Sequence, residues 1–178
     1  MKKVLVIMFV AVFAACSGEK KVEKPLNSTV FIEQKVYEYL EANKNWNVKE
    51  NDAEATGKFK RQAIKWSNEP DFLKEMPLQL INIKDTTISE QAVKVAVFKS
   101  FMDADRTNTT LLNIIQLEIN GIFSVDEAKD LQLNKKYTLK GMLYKQGKRA
   151  DVSFISEGEP GLFNLGKYTF WNIEAKAL

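Results

Sequence analysis

The chain contains no histidine, and Cys16 is the only cysteine among its 178 residues. Beyond residue 16 it therefore offers neither an imidazole nor a thiol. This excludes every reaction that depends on those groups, such as catalysis by a histidine base or a cysteine nucleophile. Zinc is disfavoured as well, because proteins bind it mainly through histidine and cysteine. We predict no metal site and no cofactor.

A strong charge of one sign and a membrane-spanning run are also missing. The net charge is +3, but Lys2 and Lys3 lie in an acid-free stretch of sixteen residues, and the remainder has 24 basic and 23 acidic residues. A nearly neutral domain gives no reason to expect nucleic acid as a partner, since that needs a clustered basic face. The longest N-terminal apolar run, residues 4–13, has ten residues, whereas a bilayer span needs ~20.

The N-terminus does contain the three parts of an export signal. Two lysines precede the apolar run and two alanines follow it. Residues 13–16 resemble the lipobox of bacterial lipoproteins, with Phe13 where leucine is most frequent. This resemblance implies that a peptidase cuts between Ala15 and Cys16 and that the Cys16 thiol carries diacylglycerol. An ordinary secreted protein cut after Ala15 is the alternative.

The same resemblance implies where the protein resides. Acylated Cys16 would anchor it in the cell envelope, because two or more acyl chains hold a protein stably on a membrane. Ser17 resembles the outer-membrane sorting class, so we expect the outer membrane rather than the inner one. Residues 1–15 are then a signal peptide, and residues 16–27 are the lipidated cysteine and a polar, flexible tether. Residues 28–178 are predicted to form a single domain.

Hydrophobic spacing predicts the elements of that domain. An apolar repeat from Ile32 to Leu40 has helical period and predicts a helix from near Thr29 to residues 43–45. A short helix is predicted over residues 68–76, with Pro70 in its first turn. The predicted strands cover residues 57–66, 78–83, 92–102, 111–119, 122–125, 137–145, 150–156 and 168–177.

Turn signals predict how these strands connect. Asn120 and Gly121 form a strong hairpin signal, so residues 122–125 are expected to fold back antiparallel. A second hairpin is predicted around residues 146–148, and Asp126 is expected to cap a short helical turn. The predicted fold class is α+β: an N-terminal helix followed by a mostly antiparallel, barrel-like sheet of about seven strands.

Two surface groups are candidates for binding. A basic face with stacking aromatics could bind oligonucleotides, but its lysines could equally lie on the solvent side of a sheet. Its members are Lys58, Lys60, Arg61, Lys65, Lys135, Lys136, Lys140, Lys145, Lys148 and Arg149, with Phe59 and Trp66. An aromatic platform could bind sugar or peptide, or its rings could pack in the core. Its members are Trp46, Trp66, Tyr144, Tyr168, Phe170 and Trp171.

Loops and acids offer weaker candidates. The loop at residues 158–166 holds Leu162, Phe163 and Leu165, which contact a partner or tuck under the end of the sheet. Residues 103–108 begin like a calcium loop, but the later positions lack the required ligands and glycine. Glu157 and Glu159 lie close together, yet nothing indicates the opposed environments that divide acid and base roles.

These observations favour a non-enzymatic envelope lipoprotein that binds a protein or a small ligand. The first alternative is an immunity or inhibitor lipoprotein that blocks a toxin or a wall hydrolase. The second is a carboxylate-based envelope hydrolase, which would show a deep cleft with two acids ~5–9 Å apart.

Overall fold

The computed structural model describes residues 28–46, 52–106, 110–147, 149–154 and 161–178. The predicted signal peptide, lipid-attachment site and tether lie outside these ranges. The described part contains two α-helices, two short 3-10 helices and eight strands. It is an α+β structure, as the sequence predicts.

The predicted N-terminal helix is confirmed as α1, which spans Phe31–Ala42. Ile32 and Val36 lie one turn apart on its inner face and are fully buried. The helix ends where the side-chain amide of Asn43 donates a hydrogen bond to the carbonyl oxygen of Tyr39 at 2.8 Å.

The strand predicted over residues 57–66 is wrong, because these residues belong to helix α2, Ala53–Trp66. Phe59, Ala63 and Trp66 are buried and follow one another at i, i+4 and i+7, which places them on one helical face. The basic residues between them occupy the other faces of the helix. In the sequence they produce an alternation of apolar and charged residues that resembles a strand.

Asp52 explains why α2 begins where it does. Its carboxylate Oδ1 accepts hydrogen bonds from the backbone N–H of Glu54 at 2.9 Å and of Ala55 at 3.2 Å. This N-cap satisfies two of the donors that a helix start leaves without partners.

The short helix predicted over residues 68–76 is also wrong. Residues 67–75, which we call the turn segment, form consecutive turns closed by i to i+3 backbone hydrogen bonds, such as Phe72 N–H to Glu69 at 3.1 Å. Glu75 ends the segment with φ of +55°, a conformation that stops helical winding. Phe72 and Leu73 are buried, so the segment packs against the sheet.

Eight strands follow in chain order. They are β1 (Leu78–Ile88), β2 (Gln91–Lys99), β3 (Ile115–Ser124), β4 (Lys136–Leu143), β5 (Lys145–Gln146), β6 (Arg149–Ala150), β7 (Val152–Ser153) and β8 (Phe163–Ala177). The main sheet has the order β3-β2-β1-β4-β8-β7, and β3 pairs with β8 as well. The β3–β8 pair is parallel, and the other pairs are antiparallel.

The hairpin predicted at Asn120 and Gly121 is wrong, because β3 continues through both residues. Asn120 lies opposite Val97, and Gly121 lies opposite Ala96 of β2. The glycine serves close packing instead of a turn: a Cβ there would lie 2.7 Å from Cδ1 of Ile173. The hairpin predicted around residues 146–148 is present as the two-residue strands β5 and β6, with Gly147 at φ of +66°. The predicted strands 137–145 and 150–156 do not pair along their length, because β4 pairs with β1 and β8, and β7 pairs with β8.

The predicted short helix after β3 is confirmed as the 3-10 helix Glu127–Asp130, and Asp126 occupies its N-cap position, but the Asp126 side chain makes no capping hydrogen bond. Ser124 and Glu127 bond reciprocally instead. The Ser124 N–H donates to the Glu127 carboxylate at 2.8 Å, and the Glu127 N–H donates to the Ser124 hydroxyl at 3.2 Å.

One continuous core joins the two helices to the inner side of the sheet. Helix α2 packs against β8, with the rings of Phe59 and Phe163 5.5 Å apart. The largest fully buried side chains are Tyr168, Phe72, Phe98, Ile32, Met76, Leu78, Leu80, Leu117, Ile119, Leu139, Leu165 and Val36.

Candidate binding groove

A groove of about 920 Å³ lies between the turn segment and strands β4 and β8. We call it the β4–β8 groove. Its inner lining is apolar, with Phe72, Leu73, Leu139 and Phe170 all buried. The rings of Phe72 and Phe170 are nearly parallel, with centroids 6.4 Å apart.

A bulge in β8 shapes the open side of this groove. Lys140 lies opposite Glu174 and Met142 opposite Trp171, so two residues of β8 face one residue of β4. Asn172 is the extra residue and has φ of +49°. Such a bulge turns a side chain to a new direction.

The consequence is visible in the exposure of β8. Phe170 points inward, Trp171 and Asn172 are both exposed, and Ile173 is buried again. Gly141 permits this arrangement on β4, because a Cβ there would lie 2.9 Å from Cγ1 of Ile173 and 3.2 Å from the carbonyl oxygen of Trp171.

Three large apolar side chains stand exposed at the groove. Met142 is 56% exposed, Trp171 44% and Tyr144 40%. The Asn172 amide contacts the sulfur of Met142 at 3.9 Å, and the Tyr144 backbone N–H donates to the carbonyl of Thr169 at 2.8 Å. Met142 lies directly opposite Trp171 in the strand register, and Tyr144 follows two residues after Met142. We call these three exposed side chains at the groove the apolar rim.

Charges of opposite sign line the two banks of the groove. Lys140 and Lys145 lie on the strand bank, are exposed, and make no ion pair with any described residue. The turn-segment bank carries the acids Glu69, Asp71 and Glu75, together with Lys74, which pairs with Asp71 at 3.6 Å. Two lysines without an ion pair in the described part of the chain therefore line the groove together with the exposed apolar rim.

Tyr168 lies behind the groove and is structural. Its hydroxyl donates to the carbonyl oxygen of Leu165 at 2.7 Å. Burial raises the pKa of Tyr168 well above its ordinary value, and a hydrogen bond with Ser67 opposes this only in part. The phenol therefore stays protonated, and its proton is engaged by the carbonyl oxygen of Leu165.

The predicted aromatic platform divides between core and surface. Trp66, Tyr168 and Phe170 are buried, which confirms core packing for them. Trp46 is half-buried, and its ring meets that of Phe59 at 5.3 Å. Tyr144 and Trp171 are exposed and both line the β4–β8 groove. Met142 was missed, because the alternation of β4 alone does not reveal a bulge in its partner strand.

The predicted basic face does not assemble as an interleaved strand. Lys58 lies on α2 and pairs with Glu54 at 2.6 Å. Lys136 lies on β4 and pairs with Asp103 at 2.8 Å. Phe59, which was predicted to stack on nucleic-acid bases, is buried. The side chains of Lys148 and Arg149 lie outside the described residues.

The remaining candidates have mixed outcomes. In the loop at residues 158–166, Phe163 and Leu165 are buried, so a partner contact through them is wrong. Residues 107–109, Glu157 and Glu159 lie outside the described part. Within the described part, no group of three or more acidic residues has the geometry to hold a metal ion.

Glu33 is a buried polar residue that the sequence analysis did not identify. It lies on α1 and is 2% exposed. Its carboxylate accepts hydrogen bonds from the hydroxyls of Ser28 and Thr110 and from the backbone N–H of Leu111 at 2.6 Å. It thereby ties the start of the domain to the loop that precedes β3, which is an architectural role.

Comparisons of the chain with protein-family models, with curated proteins and with solved structures find no match. Among the described residues, neither helix combines the length and the apolar character needed to cross a membrane.

Proposed function

We propose that this protein is a non-enzymatic envelope lipoprotein, anchored through acylated Cys16, whose domain binds an apolar ligand or partner in the β4–β8 groove. The observation that carries the binding role is the rim of Met142, Tyr144 and Trp171 above an apolar lining. The anchoring role rests on Cys16 at the end of an export signal.

The physical chemistry of the groove favours a mainly apolar ligand with a small polar or charged part. Ligand sites in proteins commonly enclose ~300–1,000 Å³ and are mainly apolar, with a few polar groups that fix orientation. Aromatic rings supply large contact area, and Lys140 and Lys145 offer cations beside them. The acids Glu69, Asp71 and Glu75 lie on one bank only, which gives no support to a hydrolase with acids on both sides of a bond.

The strand pairings support a closed barrel as the scaffold of this site. Each of β1, β2, β3 and β4 has two neighbours, whereas β8 pairs with β3, β4 and β7. The sequence of pairs through β1, β2, β3, β8 and β4 returns to its start. Five strands is also the number in oligonucleotide- and oligosaccharide-binding barrels. Agreement in the number of strands does not assign a ligand.

The anchor is tested by expressing the full chain in a bacterial host and analysing the mature N-terminus by mass spectrometry. We expect the chain to begin at Cys16 with acyl chains attached and to fractionate with the outer membrane. Cys16→Ser should release it into the soluble fraction, whereas Ser17→Ala should leave acylation intact. A fat-free mature protein, or one that still begins at Met1, would contradict the proposal.

The groove is tested with anilinonaphthalene sulfonate, an apolar dye with one anionic group. We expect the dye to bind the folded domain and to bind severalfold more weakly after Met142→Ser or Trp171→Ala. Ile81→Ser is the matched control, because Ile81 is 39% exposed on β1 and does not line the groove. Equal dye affinity in all variants would show that the groove is not the binding site.

A second candidate, the inhibitor lipoprotein, is favoured by the tip of the β1–β2 hairpin. Residues 86–92 are exposed, and β3 does not pair beyond Val93. Ser89 and Glu90 both have positive φ and close the turn tightly. If this tip blocks a toxin or wall hydrolase, Ile88→Ser should abolish protection of cells that express the protein, and unchanged protection excludes that role.

A further inference from the structure

We propose that the β4–β8 groove faces the bilayer that holds Cys16, and that Trp171, Met142 and Tyr144 enter its interfacial region. The ligand class of the groove is then the lipid itself. This inference rests on the proposed anchoring through Cys16, but it adds an orientation that anchoring alone does not require.

The first argument is where the anchored end joins the domain. The described chain begins at Ser28, and three residues later the Phe31 N–H donates to the carbonyl oxygen of Lys74 at 3.3 Å. Lys74 belongs to the turn segment and lines the groove. The point at which the membrane connection enters the domain is therefore bonded to one bank of the groove.

The second argument is the length of that connection. Ser28 is the twelfth residue after Cys16, and a chain extends by at most ~3.6 Å per residue, so the connection spans at most ~43 Å. A domain held this close experiences the membrane surface at a high effective concentration. Even a weak affinity of the neighbouring surface for lipid is then enough to orient the domain.

The third argument is the chemistry of the rim. Tryptophan and tyrosine are enriched where membranes meet water, because their rings are apolar with one polar end. Lysine extends its apolar stem beside such rings and keeps its ammonium group in the headgroup layer. Trp171, Met142, Tyr144, Lys140 and Lys145 combine these side chains at one site.

The charge balance predicts the character of the contact. The groove is lined by three acids, Glu69, Asp71 and Glu75, and by three lysines, Lys74, Lys140 and Lys145. Electrostatic attraction to anionic lipid is therefore nearly cancelled, and the apolar rim supplies the affinity. We expect contact with the bilayer to change little between low and high salt.

The experiment uses the mature lipidated protein in vesicles of phosphatidylethanolamine and phosphatidylglycerol, with or without bromine on the lipid chains. Bromine quenches tryptophan fluorescence only at short range. We expect brominated lipid to quench the emission, and Trp171→Phe to remove most of that quenching. Trp46→Phe is the matched control, since Trp46 packs against Phe59 and should leave the quenching unchanged.

Met142→Ser supplies a test that keeps every fluorophore. It should reduce the quenching of Trp171 without altering the near-ultraviolet circular dichroism of the fold. Quenching that is absent, or equal in the wild type and Trp171→Phe, overturns the proposed orientation while the protein still floats with vesicles. If Trp171 is shielded from solvent only at high protein density, the occupant of the groove is a second copy of the protein. If it is shielded only when another envelope protein is added, the occupant is that partner. A protein that fails to float at all contradicts the anchoring through Cys16 instead.

Discussion

Gly121 occupies a position in β3 where neighbouring side chains leave no room for a larger residue. A Cβ at this position would lie 2.7 Å from Cδ1 of Ile173, 2.7 Å from Cε2 of Phe123 and 3.4 Å from Cε2 of Phe98. All three neighbours are buried, so they cannot move freely into solvent. The absence of one side chain thus lets β8 and the rings of β2 and β3 pack together.

We expect Gly121→Ala to lower the free energy of unfolding by ~1–3 kcal/mol, because overpacking forces buried side chains from their preferred rotamers. Gly57→Ala is a control for which we expect a change in stability of the opposite sign. Gly57 lies inside α2 with only the Arg61 guanidinium near its absent Cβ, at 3.7 Å, and alanine there should raise stability by ~0.5–1 kcal/mol. Urea denaturation of both variants measures the change in the free energy of unfolding, and a change of the same sign in both would contradict this account of Gly121.

Strands β2, β3 and β8 are joined by a row of three charges. Glu118 on β3 lies directly opposite Lys99 of β2 and Lys167 of β8. Its carboxylate oxygens contact the ammonium groups of these lysines at 3.1 and 2.5 Å. Burial alone would raise the pKa of Glu118, but the hydrogen bonds from Lys167 and Lys99 outweigh it and hold the pKa below its ordinary value.

This lowered pKa makes stability depend on pH. As the pH falls, Glu118 becomes protonated in the unfolded chain before it does in the folded protein, because its pKa is lower in the folded protein. The stabilisation of the folded state is therefore complete above the ordinary carboxyl pKa near 4.5 and is lost as the pH falls through the lower folded value. We expect Glu118→Gln to flatten the fall in unfolding free energy between about pH 6 and pH 3. Lys167→Met, which removes one of two donors, should give an intermediate slope in the same urea titrations. An unchanged slope in both variants would contradict the pairing.

The pairing of strands in the main sheet is a property of the entire domain. β3 bonds to β2 on one edge and to β8 on the other, while the β4–β1 contact is confined to Leu78 and Gln79. Backbone amides that are paired and buried exchange with solvent only when the structure opens, whereas exposed hairpin tips open easily.

Hydrogen exchange therefore tests whether the β3–β8 pairing persists in solution. We expect the amides of residues 165–170 in β8 to exchange slowly, with protection close to that of β2. The amides of residues 86–92 at the hairpin tip should exchange many times faster. Fast exchange along residues 165–170 would mean that the β3–β8 pairing does not persist in solution.

Much of this fold is predictable from local patterns, and the failures have identifiable causes. Helix α1 and strands β1, β2 and β8 were found because their apolar residues repeat with the period of the element. Helix α2 was missed although Phe59, Ala63 and Trp66 have helical spacing and Asp52 is a good cap. The alternating lysines concealed that spacing.

The prediction of a turn at Gly121 failed for a different reason. An Asn-Gly pair has a strong local preference for a hairpin, but the lack of a Cβ serves two purposes in proteins, positive φ and close approach. Which purpose applies depends on Ile173, which is more than fifty residues away in the chain. No local pattern contains that information.

The chain alone carries the pattern that predicts an export signal with its single cysteine, the absence of imidazole and thiol groups beyond that cysteine, and most of the helical and strand periods. These features depend on residue type and near-neighbour spacing, which are readable in one dimension. The β4–β8 groove exists only after folding, because the register that sets Met142 against Trp171 and makes Asn172 a bulge is a relation between two strands. The exposure of an aromatic side chain likewise depends on its surroundings. Only the tertiary structure therefore decided that Trp66 lies in the core and Trp171 on the surface.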